Sequence, residues 1–157
     1  MRKKRNYFLF KIILAIFFEL LSHQLLAQIP AFPGAQGWGS TSLGGRGGIV
    51  IEVTNLNDAG IGSLREAINT KGARIIVFRV GGVIELQSEL QIMEPFLYLA
   101  GQTAPGDGIV IKNFPISIFT HDIIIRGMRI RIGDSLPQKS PDNRDCISIQ
   151  KGSHHIV

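Results

Sequence analysis

The sequence predicts an all-β protein wound as a parallel β-helix, a solenoid of short strands whose N-terminal coils are covered by a short capping helix. Three observations predict it. Nine short β-branched or aromatic runs follow Arg74, separated by turn residues, with one helix-forming segment ahead of them. The apolar segments recur roughly every 20 to 30 residues, in the manner of stacked coils. In Met128-Arg129-Ile130-Arg131-Ile132 the alternation is strict, which points Met128, Ile130 and Ile132 inward and Arg129 and Arg131 outward. A doubly wound α/β fold is excluded for want of crossover helices, while a sandwich or closed barrel stays open.

The first element is an address. The 157 residues hold 17 Lys and Arg against 12 Asp and Glu, a net charge of +5. Residues 1 to 27 carry Arg2, Lys3, Lys4, Arg5 and Lys11 against Glu19 alone, which is +4, so the other 130 residues are nearly neutral at +1. No basic stripe with interleaved aromatics remains, and a nucleic-acid groove is excluded. Met1 to Arg5 form a charged n-region, Tyr7 to Phe18 an apolar h-region, and Leu25-Leu26-Ala27 a cleavage site. The uncharged run Ile12 to Phe18 is far short of the ~20 apolar residues of a membrane span. The reading is a cleaved secretory signal over 1–27, with an uncleaved anchor as the alternative. It gives a mature chain over 28–157, extracellular or periplasmic and free of the membrane. With 45% hydrophobic and 18% charged residues the full 157-residue chain is too apolar to be disordered.

The next stretch is rich in glycine: Ala31-Phe32-Pro33-Gly34-Ala35-Gln36-Gly37-Trp38-Gly39, then Gly44-Gly45-Arg46-Gly47-Gly48. It lacks the strand-then-helix setting and the Lys-Ser/Thr ending of a phosphate loop. It reads as an irregular segment laid over a core, with Phe32 and Trp38 as packing anchors. Ser63-Leu64-Arg65-Glu66 is a capping box, followed by a narrow stripe of Leu64, Ala67 and Ile68 and a stop at Gly72. A helix of about two turns does not persist in water without a surface beneath it, which suits a lid on the open end of a solenoid.

The strands follow, over Ile75 to Val80, Val83 to Leu86, Phe96 to Leu99, Ile109 to Lys112, Ile116 to Phe119, Ile123 to Arg126, Met128 to Ile132, Ile147 to Ile149 and Ile156 onward. Gly127 marks a corner where the alternation resets. Cys146 is the sole cysteine, so no internal disulfide forms, and it reads as a small buried hydrophobe. The sequence stops at His154-His155-Ile156-Val157 in what reads as another strand, and the expectation is the N-terminal portion of a longer protein.

Taken together, the Ala31 to Gly39 and Gly44 to Gly48 segments, Val53-Thr54-Asn55-Leu56-Asn57-Asp58, Gly62 to Ile68, Ala100-Gly101-Gln102-Thr103-Ala104-Pro105-Gly106-Asp107-Gly108 and Ile124-Ile125-Arg126-Gly127-Met128-Arg129-Ile130-Arg131 resemble the N-terminal half of secreted bacterial pectate lyases of polysaccharide lyase family one. The resemblance runs over residues 31 to 157 with the motifs in order. It implies a right-handed parallel β-helix, a monomer at full length, and calcium-assisted β-elimination of polygalacturonate.

That reaction removes the C5 proton of a uronate beside a carboxylate whose charge opposes carbanion formation. Ca²⁺ held by carboxylates can bind that group while a base takes the proton. By resemblance the base is an arginine lying after Val157, so this chain alone is expected to be inactive. Asp145 matches a calcium-binding aspartate just before a strand, its plainer reading being a strand-start residue that binds nearby amides. Asp142 and Asn143 stand close by; where many relatives carry a second aspartate this chain has Asn143, which still offers a carbonyl oxygen. Asp134 is a lesser candidate. Arg129 and Arg131 could fork to uronate carboxylates, against the plainer reading of a solvated face. His121, His154 and His155 read as turn and strand-start residues, and Glu85 and Glu89 imitate a glycosidase pair with nothing to fix their separation. The rival function is a non-catalytic β-helix that binds acidic polysaccharide.

Overall fold

The structure is a computed structural model that describes residues 29–133, 145–150 and 152–157. Its strands are β1 (Ile49–Val53), β2 (Arg74–Phe78), β3 (Gly82–Glu85), β4 (Leu90–Ile92), β5 (Leu97–Ala100), β6 (Ile109–Lys112), β7 (Ile116–Ile118), β8 (Ile123–Arg126), β9 (Met128–Arg131) and β10 (Ile147–Ile149), and its α-helix is α1 (Leu64–Asn69). They form three sheets: β1-β2-β5-β8 (sheet A), β3-β6-β9 (sheet B) and β4-β7-β10 (sheet C). Every pairing among them is parallel. From β2 onward the chain visits A, B and C in turn three times, then returns to sheet A through a bridge from Ile123 to Ile156. This cyclic order is consistent with a parallel β-helix.

Inward side chains of successive coils stack into rows. Ile51, Ile76, Leu99 and Ile125 are in register in sheet A, Ile84, Ile111 and Ile130 in sheet B, and Ile92, Ile118 and Ile149 in sheet C. Ile76, Ile84, Ile92, Leu99, Ile111 and Ile118 are fully buried. β-branched side chains suit such stacks, because their restricted χ1 fits a pleated surface on which like residues repeat. Rows of identical shape also let each coil bury the face of the one before it.

The first coil differs. It places β1 in sheet A and then α1 where strands of sheets B and C would stand. The helix buries Leu64, Ala67 and Ile68 in the common core, as a lid would. Its cap differs in one partner from the capping box expected. The Ser63 hydroxyl accepts from the Glu66 amide at 3.2 Å, but the Glu66 carboxylate accepts from the Gly62 amide at 2.6 Å instead of from Ser63.

One inward position breaks the apolar pattern. Arg74 occupies the row that Leu97 and Ile123 fill in the next coils, and it is fully buried. Its guanidinium donates to the carbonyls of Ile68 at 2.7 Å, Pro95 at 2.9 Å, Gly72 at 3.0 Å and Glu94 at 3.1 Å. Its Nε has no partner among the described residues. Burial pulls this guanidinium below the usual arginine range, and the charge of Glu94 pushes back.

The N-terminal segment climbs the outside of sheet A as a strap. Gly39 lies against the Ile156 carbonyl, Gly44 covers Ile124, and Gly45 and Gly48 rest on the backbone of Arg74 and Ala73. A Cβ at Gly45 or Gly48 would collide with a carbonyl group, so the close approach requires glycine there. Ile124 faces outward yet is buried, because the strap covers it. Phe32 behaves as an anchor, with the Arg126 guanidinium 4.1 Å above its ring. Trp38 does not: it is 99% exposed, since the strap turns outward there. Cys146 is likewise exposed rather than buried, with its thiol 3.5 Å from the Ile130 carbonyl.

The corner leading into sheet A repeats. Phe96, Asp122 and His155 each stand one residue before a sheet A strand or bridge, and each has a positive φ, at 60°, 56° and 52°. That left-handed residue turns the chain from sheet C into sheet A in each of these coils.

Arg74→Leu is expected to lower unfolding stability by about 3 kcal/mol, since it strips four carbonyls of a charged donor. Arg79→Leu, which removes only the exposed pair with Glu52, is expected to leave the urea midpoint almost in place. Equilibrium urea unfolding of the two variants checks the contrast.

Candidate functional site

Sheet C carries an outward polar row. Gln91, Ser117 and Ser148 stand in register on β4, β7 and β10, between the inward rows of Leu90, Ile116 and Ile147 and of Ile92, Ile118 and Ile149. The segments responsible, Leu-Gln-Ile, Ile-Ser-Ile and Ile-Ser-Ile, share one apolar–polar–apolar pattern. Adjacent strands lie about 4.8 Å apart, so the row spans about 10 Å from β4 to β10. Glu89, just ahead of β4, accepts from the Ser117 hydroxyl and from the Gln91 amide at 3.1 Å.

Asp145 is exposed two residues before β10, at the end of this row. Asp142, Asn143 and Asp134 lie outside the described residues. Among the described residues no group of three or more His, Cys, Asp or Glu side chains is arranged to hold a metal ion. A carboxylate such as Asp145 is a hard oxygen donor of the kind Ca²⁺ takes, but Ca²⁺ needs six to eight such oxygens. Asp145 therefore fits as one member of a set.

Arg129 and Arg131 are exposed and outward on β9, as their alternation requires. They belong to sheet B, in register with Val110 and Lys112 on β6, so the fold puts them on a different sheet from the β10 strand that follows Asp145. Glu85 and Glu89 are likewise separated. Glu85 on β3 pairs with Lys112 at 2.9 Å, and Glu89 serves sheet C, so they are no catalytic couple.

The three histidines gather at the corner before sheet A. His121 and His154 occupy equivalent places in successive coils, and their rings stack at 4.8 Å and 13°. His155 meets His154 edge-on at 5.0 Å. His121 Nδ1 lies 2.8 Å from Asp122 Oδ2, and His155 Nδ1 lies 3.7 Å from Oδ1. Asp122 also accepts from the Leu43 amide at 2.9 Å, which fastens the strap to the coils. Burial alone would raise the Asp122 carboxyl, but the Leu43 amide, His121 and His155 together hold it below the usual aspartate range.

Known proteins bear on this geometry. No protein-family model matches the chain. The chain is 43% identical over 144 residues to a probable pectate lyase C of Emericella nidulans, covering 85% of the chain and 33% of the relative. It is 45% identical over 137 residues to a probable pectate lyase C of Aspergillus terreus, covering 87% and 31%. A probable pectate lyase C of Aspergillus fumigatus is 42% identical over 134 residues, covering 85% and 30%. The chain thus spans about a third of the length of the curated relatives it matches. This similarity supports a pectate lyase family, and the relatives that carry it are fungal.

The depressed Asp122 carboxyl makes its stabilising contribution fully above the unfolded aspartate value, near pH 4, and loses it as pH falls through the lower folded value. Asp122→Asn is therefore expected to melt at a lower temperature than the parent at pH 7 and to lose less on acidification to pH 3. Thermal melts followed by circular dichroism across that range check both.

Proposed function

We propose that the chain is the N-terminal part of a secreted polysaccharide lyase that cleaves polygalacturonate by calcium-assisted β-elimination. The observation that carries this reading is identity above 40% to probable pectate lyases over most of a chain whose strands run in three parallel sheets. Right-handed winding follows on general grounds, because parallel strands in one sheet are joined by right-handed crossovers in nearly all proteins.

On this reading the polymer lies over the outer face of sheet C, where Gln91 and Ser148 offer hydrogen-bonding groups to sugar hydroxyls, while Ser117 between them is buried and engaged by Glu89. Asp145, with Asp142 and Asn143 upstream, would hold Ca²⁺ at the β10 end of that face. When bound, the ion supplies positive charge to a uronate carboxylate. The elimination takes the C5 proton onto a base, breaks the bond from C4 to the glycosidic oxygen, and leaves a C4–C5 double bond on one fragment, while the departing oxygen takes up a proton and becomes a hydroxyl on the other. Arg129 and Arg131 present guanidinium forks to further carboxylates of the polymer from sheet B. The basic, apolar N-terminus directs the chain to export.

The full-length protein is expected to generate ultraviolet absorbance of unsaturated uronate on polygalacturonate and to lose it with a calcium chelator. Asp145→Ala is expected to raise the calcium concentration for half-maximal rate by about tenfold, the equivalent of ~1.4 kcal/mol at one ligand. Binding of polygalacturonate without any absorbance on pectate, pectin or other polyuronates would sink the lyase reading and establish the non-catalytic one.

A further inference from the structure

Two stacked imidazoles stand at the corner between sheet C and sheet A, and the proposed elimination makes no use of them. His121 and His154 each stand one residue ahead of a left-handed position, Asp122 in one coil and His155 in the next. The Phe96 amide donates to the His121 carbonyl at 3.4 Å and the Asp122 amide to the His154 carbonyl at 3.2 Å, so the ladder between coils runs on through the corner. That ladder sets the two rings 4.8 Å apart at 13°, the spacing of adjacent strands. From this geometry we infer that His121 and His154 form a two-ligand site for a late first-row divalent cation, Zn²⁺, Ni²⁺ or Cu²⁺, which would staple successive coils. The inference stands apart from the polysaccharide reading.

The outer partners of the two rings decide the tautomers. His121 Nδ1 lies 2.8 Å from Asp122 Oδ2, and His154 Nδ1 lies 3.3 Å from the Gly152 carbonyl. An ionised carboxylate and a carbonyl only accept, so in the neutral rings both Nδ1 atoms carry the proton and both Nε2 atoms present a lone pair. Among the described residues neither Nε2 has a hydrogen-bond partner. An imidazole held at one nitrogen by a carboxylate or a backbone carbonyl is the arrangement of a metal-ligating histidine, because the outer bond fixes the ring and raises the basicity of the nitrogen opposite. Asp122 is buried and itself held by the Leu43 amide, so this outer support is fixed. Two nitrogens on one ion lie about 3 Å apart. Rotation about χ2, which is broad for histidine, brings rings 4.8 Å apart to that span. His121 is half-buried and His154 exposed, so water completes the coordination. Imidazole suits zinc, nickel and copper, whereas Ca²⁺ takes oxygen, which separates this site from the carboxylate set proposed around Asp145. His155 meets His154 edge-on and stays outside the pair.

Long-range ¹H–¹⁵N spectra of the imidazoles in the full-length protein, first stripped of metal with a chelator, test the site on the parent chain. His121 and His154 are expected as Nδ1–H tautomers. One equivalent of Zn²⁺ is expected to shift both Nε2 signals, and the same amount of Ca²⁺ to move neither. Calorimetric titration with Ni²⁺ then compares variants. His121→Gln and His154→Gln are each expected to weaken binding at least tenfold, and His155→Gln to stay within twofold of the parent. Nε2 signals that Zn²⁺ leaves in place, or histidine variants that bind Ni²⁺ as tightly as the parent, would overturn the site. An equal loss in His155→Gln would overturn its two-ligand form.

Discussion

The buried guanidinium of Arg74 is the constraint on which the start of the solenoid depends. A coil end exposes carbonyls that the next coil would otherwise engage, and here those groups come from two directions. Ile68 and Gly72 belong to the lid helix and its exit, and Glu94 and Pro95 to the corner before β5. One planar cation reaches all four and joins the lid to the second full coil. A leucine at that position would continue the row of Leu97 and Ile123 but leave the four acceptors dry. The irregular first coil and the regular ones above it are held together by this polar substitution in an otherwise apolar column.

Much of this architecture was legible in the residues. The alternation over Met128 to Arg131, the Ser63 cap and the corner at Gly127, where φ is 67°, follow from local chemistry, and the structure reproduces them. β1 and β4 were not foreseen. Ile49 to Val53 adjoins a glycine run that dominates any local reading, and Leu90 to Ile92 is only three residues long. The corners of Phe96, Asp122 and His155 were equally hidden, because a left-handed turn is signalled by glycine and none of the three is one. Trp38 misled because an aromatic among glycines suggests packing, whereas the strap carries it outward.

The site was legible in its chemistry more than in its layout. Asp145 and the two arginines could be picked out as a carboxylate and two forks, but only the order of the sheets shows that a strand of sheet C and a strand of sheet B carry them. The outward polar row was readable in principle, since Ile-Ser-Ile occurs at both 116–118 and 147–149. Its meaning emerges only when the coils bring those triplets side by side.

The strap sets a condition on how the chain can fold. Stacked coils interact with their neighbours and can in principle form one after another as the chain appears. The strap cannot follow that order, because Leu43 bonds Asp122 across 79 residues and Gly39 rests on Ile156. Its docking surface exists only once five passes through sheet A have been laid down, β1, β2, β5, β8 and the return at Ile156. The earliest of the described segments is thus among the last to find its place, and closure of so long a loop is slow. A fold whose first described segment waits for residue 156 carries that delay in its topology.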